Sequence, residues 1–221
     1  MQPETNTPKV YADRADAGRF LAQRLVPYAV ERPVVAGLPR GGVIVAAEIA
    51  RALKCDLDII LAGKLRAPFN PELAIGGITE DGAVYINEGE IKGLHINEAY
   101  IEKEKKEKLS LLRQRLRLYR AAKKKIPLSQ RTVIIVDDGL ATGATMISAI
   151  KAASAEGASK IIAAVPGGPE DTIALIRDMP EVDAVVCPLI PPLFFAVSQI
   201  YADFEQVEDS VVIETLKASC V

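Results

Sequence analysis

The chain has 221 residues, 49% of them hydrophobic and 25% charged, with a formal net charge of −2. That is room for one α/β domain with an added lobe and a sizeable core. The charge balance argues against a basic nucleic-acid face or an acidic tail, and 5% aromatic content without Trp leaves no stacking surface for single strands.

Cys55, Cys187 and Cys220 are odd in number and far apart, which fits a reducing compartment rather than a disulfide or zinc framework. His95 is the single histidine; it reads as a surface residue ahead of a helix and leaves little room for histidine metal sites or a histidine base. The opening Met1–Pro8 is polar and lacks the apolar stretch of a signal peptide, and no run reaches membrane-spanning length. A cytoplasmic protein is expected.

In chain order, residues 13–30 have helical spacing, with Phe20, Leu21, Leu25 and Val26 on one side and Asp13 or Asp16 as cap. Val34–Gly37 reads as a short buried strand, then comes Leu38-Pro-Arg-Gly-Gly42, then a helix over about 43–53. A second strand is expected over 57–62. Residues 64–72, punctuated by Pro68 and Pro71, read as a loop, and 73–79 with 83–87 flank Glu80-Asp-Gly82 as a hairpin. Residues 97–122 form a long helix with Leu109, Leu112, Leu116 and Tyr119 as its buried stripe and Glu102–Lys106 and Glu104–Lys108 as i,i+4 pairs. Arg113, Arg117 and Arg120 beside that stripe read as a solvated or snorkelling face, with Arg120 near a phosphate as the lesser option.

Strands 132–137, 160–165 and 183–187 then alternate with helices 143–156 and 170–178. Continuous apolar strands alternating with helices predict a mostly parallel twisted sheet of about five strands covered on both faces. Pro188, Pro191 and Pro192 end the alternation, so the last thirty or so residues are expected to form a cap beside the sheet.

The segment Val133-Ile-Ile-Val-Asp-Asp-Gly-Leu-Ala-Thr-Gly-Ala-Thr145 carries the chemistry. Four β-branched residues make a central strand, with Asp137 and Asp138 at its carboxyl end, where ligands sit in open parallel sheets. Gly139, Leu140, Ala141, Thr142, Gly143, Ala144 and Thr145 then make a small-residue loop into a helix. Its glycines let successive N–H groups point inward as an anion nest, and Thr142 and Thr145 add hydroxyl donors. No Gly-Lys-Ser/Thr occurs, so this is no Walker loop. The carboxylates would repel a phosphate and instead suit vicinal sugar hydroxyls. A sugar held by hydroxyls at one end and phosphate at the other is a ribose 5-phosphate.

These residues resemble the phosphoribosyl pyrophosphate (PRPP) motif of type I phosphoribosyltransferases, in a little-characterised stand-alone branch. Gly139 departs from the family's aliphatic residue and is expected to loosen the loop. The resemblance runs over about 33–187 as the core of a single domain, with a hood from about 8–32 and 188–217. It implies that Arg40, Gly41 and Gly42 hold pyrophosphate, Arg40 with a forked donor and the glycines by close approach. It also implies that Lys64–Glu72 is the flexible catalytic loop, with Lys64, Arg66 and Asn70 as polar candidates and a basic residue stabilising the leaving group. Phe194 or Phe195 would stack on the base, and Asp203 would approach magnesium or pyrophosphate; ordinary packing of a C-terminal lobe explains both phenylalanines as well.

The expected reaction moves the phosphoribosyl group of PRPP to a nitrogenous base, purine-like, with release of pyrophosphate. Mg²⁺ would bridge pyrophosphate and ribose oxygens, meeting Asp137 and Asp138 through the hydroxyls or water. Those carboxylates would stabilise positive charge on the ribose while Arg40, Lys64 and Arg66 stabilise the leaving group. Ala141 stands where enzymes for 6-oxopurines usually carry an acid, and adenine enzymes share Ala-Thr-Gly there. A homodimer with no nucleic-acid or membrane partner is expected. The rivals are a PRPP-sensing regulator without turnover, another enzyme handling ribose phosphates, and, more distantly, a dinucleotide-binding fold, for which 37–42 lacks the Gly-x-Gly-x-x-Gly spacing.

Overall fold

The structure, a computed structural model, describes residues 10–219; Cys220 and the opening segment 1–8 lie outside them. Helix α1 (Arg14–Leu25) starts at Asp13, whose side chain accepts from the Asp16 amide. A 3₁₀ turn over Val26–Glu31 with Pro27 at its start ends it early, leaving Val26 exposed rather than on the buried stripe. Strand β1 (Val34–Gly37), helix α2 (Gly41–Leu53) and strand β2 (Asp56–Ile59) follow.

Residues 64–72 are not a loop. Strand β3 (Ala62–Ala67) and strand β4 (Asn70–Thr79) pair antiparallel, and β5 (Val84–Ile86) completes a separate three-stranded sheet. Alternation decides it: Leu65 and Ala67 are buried while Arg66 between them is exposed. Short helix α3 (Glu88–Gly93), absent from the sequence reading, is capped by the Asn87 side chain. Long helix α4 (Glu98–Ala122) buries Leu112 and Tyr119 and half-buries Leu109 and Leu116. The Glu104 carboxylate accepts from the Arg66 amide (3.1 Å) and also acts electrostatically on Lys108, its expected i,i+4 partner, while Glu102 is joined by Lys105 (2.6 Å) one residue before the expected Lys106.

Strand β6 (Thr132–Val136), helix α5 (Ala144–Ala155), strand β7 (Lys160–Ala164), helix α6 (Glu170–Arg177) and strand β8 (Ala184–Val186) complete the alternation, and helix α7 (Asp209–Ala218) closes the described chain. The main sheet runs β2-β1-β6-β7-β8, all parallel. Its strands bury both faces. Val35, Ile134, Val136 and Ile162 meet Leu21, Val45, Ile49, Leu112 and Val212, whereas Val34, Val133, Ile135 and Ala163 meet Met146, Ile150, Ile173 and Ile176. The order reverses between β1 and β6, which places the loops after those two strands side by side at the sheet's carboxyl edge. No helix among the described residues is long and apolar enough to cross a membrane.

Both chain ends roof that edge. Tyr11 bridges Tyr201 in parallel, the Ala202 amide donates to the Tyr11 carbonyl (2.8 Å), and the Asp203 amide donates to that of Ala12 (2.9 Å). Helix α1 crosses α2 so closely that a Cβ at Gly18 would lie 2.7 Å from the Val45 carbonyl.

Candidate functional site

Five continuous buried residues of β6 deliver Asp137 and Asp138 to the switch point. The Asp138 amide donates to the Asp137 carboxylate (2.9 Å). Burial, then the adjacent Asp138 charge, pushes the Asp137 carboxyl well above the ordinary range. The loop after β1 packs directly against this pair: a Cβ on Gly42 would meet the Val136 carbonyl at 2.7 Å and the Asp137 Cα at 2.8 Å, and one on Gly41 would overlap the Asp138 carboxylate. Both positions therefore require glycine for approach, whatever the ligand. The Pro39–Arg40 peptide between strand and loop is cis.

Beyond the diacid, Gly143 takes the left-handed conformation (φ 72°) at the head of α5. No side chain caps that helix, so its first amide groups are left for another acceptor. Thr172 donates to the Ala141 carbonyl (3.0 Å) and fixes the loop from α6. Leu140 is buried beneath, its amide on the Gly167 carbonyl (3.0 Å). Ala141 and Thr142 are exposed and Thr145 is half-buried beside them. Gly139 is not a source of looseness: a Cβ there would lie 2.5 Å from Val197 Cγ1, so the glycine admits the C-terminal segment against the loop.

Arg14 escapes the sequence reading. It crosses 124 residues to place Nε 2.7 Å from Asp138 Oδ2, while Nη1 donates to the Glu205 carbonyl (2.8 Å). Its guanidinium lies 3.9 Å from the centre of the Phe204 ring, which stacks on Tyr201. Tyr201 in turn donates to the Asp138 carbonyl (2.6 Å). The Gly41 Cβ position is 2.6 Å from Arg14 Nε. Arg14 thus stands where the glycine loop, the diacid and the roof converge. One faint signal was available: a cation in the first helical position opposes the helix dipole, so it needs another reason to be there.

Other candidates are placed elsewhere. The Arg40 side chain reaches Glu208 (3.4 Å), ahead of α7. Lys64 pairs opposite Gly77, whose Cβ position would overlap Ser148 Oγ and lie 2.9 Å from the Ala144 carbonyl, so Lys64 shares the face turned to the start of α5. Arg66 is tied by its backbone to α4, accepting from Tyr100 (3.0 Å) and donating to Glu104. Asn70 opens β4. Phe194 packs with the Tyr11, Ile200 and Tyr201 cluster, and Phe195 is 84% exposed. The Asp203 carboxylate accepts from the Glu205 amide (3.2 Å) in a local turn, with no hydrogen bond or ion pair to the diacid. Arg120 is neither solvated nor near the glycine–threonine loop: it pairs with Asp58, which is 2% exposed.

Comparison with known proteins agrees with this arrangement. The phosphoribosyl transferase domain model matches residues 9–178, and the chain belongs to that family. Two curated proteins of Mycobacterium tuberculosis, from strains CDC 1551 and H37Rv, are each 45% identical over 208 residues, 94% of this chain, and carry the name "Putative phosphoribosyl transferase". The chain spans 46% of their length. The solved structure of the Thermus thermophilus protein TT1426 is 37% identical, with a TM-score of 0.81 over 95% of this chain and 98% of its own.

Proposed function

We propose that this protein binds PRPP at the switch point and transfers its 5-phosphoribosyl group to a nitrogenous base, purine-like, in cytoplasmic nucleotide salvage. The observation carrying the reading is the uncapped start of α5 with left-handed Gly143, set beside the diacid at the end of β6. The nest suits the 5-phosphate, the carboxylates suit the ribose hydroxyls, and Gly41 and Gly42 leave room for pyrophosphate close to Asp138. In the transfer the bond from C1 to pyrophosphate breaks, pyrophosphate leaves with the electron pair, and a C1–N bond forms. The carboxylates offset charge developing on the ribose. The base's proton passes to solvent, since Ala141 cannot take it.

Two carboxylates fit a hard cation held mainly by ligand oxygens, and Arg14 occupies only one Asp138 oxygen. Asp137 and Asp138 would hold Mg²⁺ through water or the ribose hydroxyls; bound there, it would neutralise pyrophosphate charge. Arg40 enters this reading by exchanging Glu208, which is 62% exposed, for a pyrophosphate oxygen. Lys64 and Arg66 remain proposals for the leaving group, Phe194 or Phe195 for base stacking, and Asp203 for an outer magnesium contact. A homodimer is the assembly expected.

Calorimetry with PRPP and Mg²⁺, then a base panel assayed for pyrophosphate release, tests the proposal. No PRPP binding by the folded protein would overturn it. The Arg40–Glu208 pair favours a second reading, a PRPP sensor of the same fold, because it holds that guanidinium on a carboxylate. Tight binding without turnover on any base would select it.

A further inference from the structure

At the other end of α5 from the phosphate loop lies a cavity of about 330 Å³. Twelve residues of helix, at a rise of ~1.5 Å each, put the two ends roughly 17 Å apart. Its apolar walls are Ile60, Leu116, Leu128 and Ala152.

Most of its charged groups are already satisfied. Asp58 accepts from Arg120 and from the Ile126 amide (2.8 Å). Glu156 accepts from Lys125 (2.6 Å) and the Leu128 amide (2.9 Å), and Asp81 from Thr79 and the Ala83 amide (3.3 Å). Glu80 differs. Its Oε2 is buried and has no hydrogen-bond partner among the described residues, so it meets a ligand only by turning into the cavity that Glu80 lines. A Thr-Glu-Asp-Gly turn needs no carboxyl at that position, and an unsatisfied one costs stability. Burial, the leading cause, pushes this carboxyl up to about 7, so near neutral pH about half of it is protonated and sets an O–H donor beside a carbonyl acceptor. No group of three His, Cys, Asp or Glu among the described residues is placed to hold a metal.

We infer that this cavity is a second ligand site, separate from the diacid, for a small flat N-heterocycle whose amidine-type edge, a ring nitrogen beside an exocyclic N–H, pairs with Glu80. The volume matches the lower end of small-molecule pockets and suits one or two fused rings. The heterocycle's faces lie against Ile60, Leu116 and Leu128. Occupation joins the turn after β4 to the last turns of α4 and α5. Because β4 also lies against the start of α5 through Gly77, that ligand braces the element carrying the phosphate nest.

The test is titration of the whole chain with 2-aminobenzimidazole, and separately with adenine, followed by amide NMR. Saturable shifts are expected at Glu80–Gly82 and Ala152–Glu156, with an affinity of about 1 mM or tighter. They persist in Asp137→Asn/Asp138→Asn, weaken at least about tenfold in Glu80→Leu, and vanish in Ala152→Phe, which fills the cavity. Glu80→Leu keeps or raises the melting temperature, since it removes an unsatisfied carboxyl; a fall would assign Glu80 to structure and overturn the inference. Absence of saturation, unchanged binding in Glu80→Leu, or loss in the diacid variant would equally overturn it. None of these readouts depends on PRPP.

Discussion

Replacing Arg14 by Leu isolates what holds the diacid in place. The Arg14 and Asp138 side chains are 11% and 16% exposed, so the pair is mostly buried, and removing one partner leaves a charge that water reaches poorly. Breaking such pairs costs about 3–5 kcal/mol; exposure reduces that, and the lost stack on Phe204 adds a fraction. The expected loss is about 3 kcal/mol at neutral pH, or roughly 6–12 °C of melting temperature for a chain this size. Acid changes the comparison. Asp137 is raised on folding, so the stability linked to its protonation is present below the ordinary aspartate value and lost as pH rises through the raised one. Arg14 opposes that rise, so in the variant the loss reaches still higher pH. Below the ordinary aspartate range Asp137 is protonated in both proteins, that part of the difference disappears, and the deficit narrows. Urea unfolding of both proteins across a pH series measures this. A deficit below about 1 kcal/mol at neutral pH, or one that widens on acidification, would refute the reasoning.

Three further outcomes follow from the same geometry. Gly41→Ala places a methyl on the Asp138 carboxylate and should weaken PRPP binding by at least about tenfold in calorimetry, while far-UV dichroism stays native. Gly139→Ala meets Val197 and should cost about 1–3 kcal/mol; adding Val197→Ala should recover part of that, and strict additivity in the double-mutant cycle would rule out the contact. Arg120→Met strands Asp58 and should cost about 3–5 kcal/mol by chemical denaturation, with Asp58→Asn alongside it restoring part.

The candidate site after β6 was legible as a strand, diacid and glycine–threonine turn because these parts are adjacent, within Val133–Thr145. The sheet was legible for a related reason, since strands buried on both faces read as unbroken apolar runs. The hairpin of β3 and β4 was hidden by its own composition. Gly63, Ala67, Gly76 and Gly77 blur the alternation, and Pro71 sits near a strand's start, where a missing donor is tolerated. Arg14 and Arg120 were hidden by distance. Each looks like an ordinary helix cation until folding brings Asp138 or Asp58 to it across 124 or 62 residues.

The pairing of Tyr11 with Tyr201 also gives the site an order of assembly. The diacid and the glycine–threonine loop depend on strands complete by residue 186, but Arg14 gains its aromatic support only when Phe204 arrives. A contact between residues as far apart in sequence as Tyr11 and Tyr201 closes a long loop, so the roof is expected to form after the sheet. A ligand that touches both floor and roof would therefore act as the clasp of a ring, and hydrogen exchange at the Ala202 and Asp203 amides would slow on its binding before the sheet changes at all.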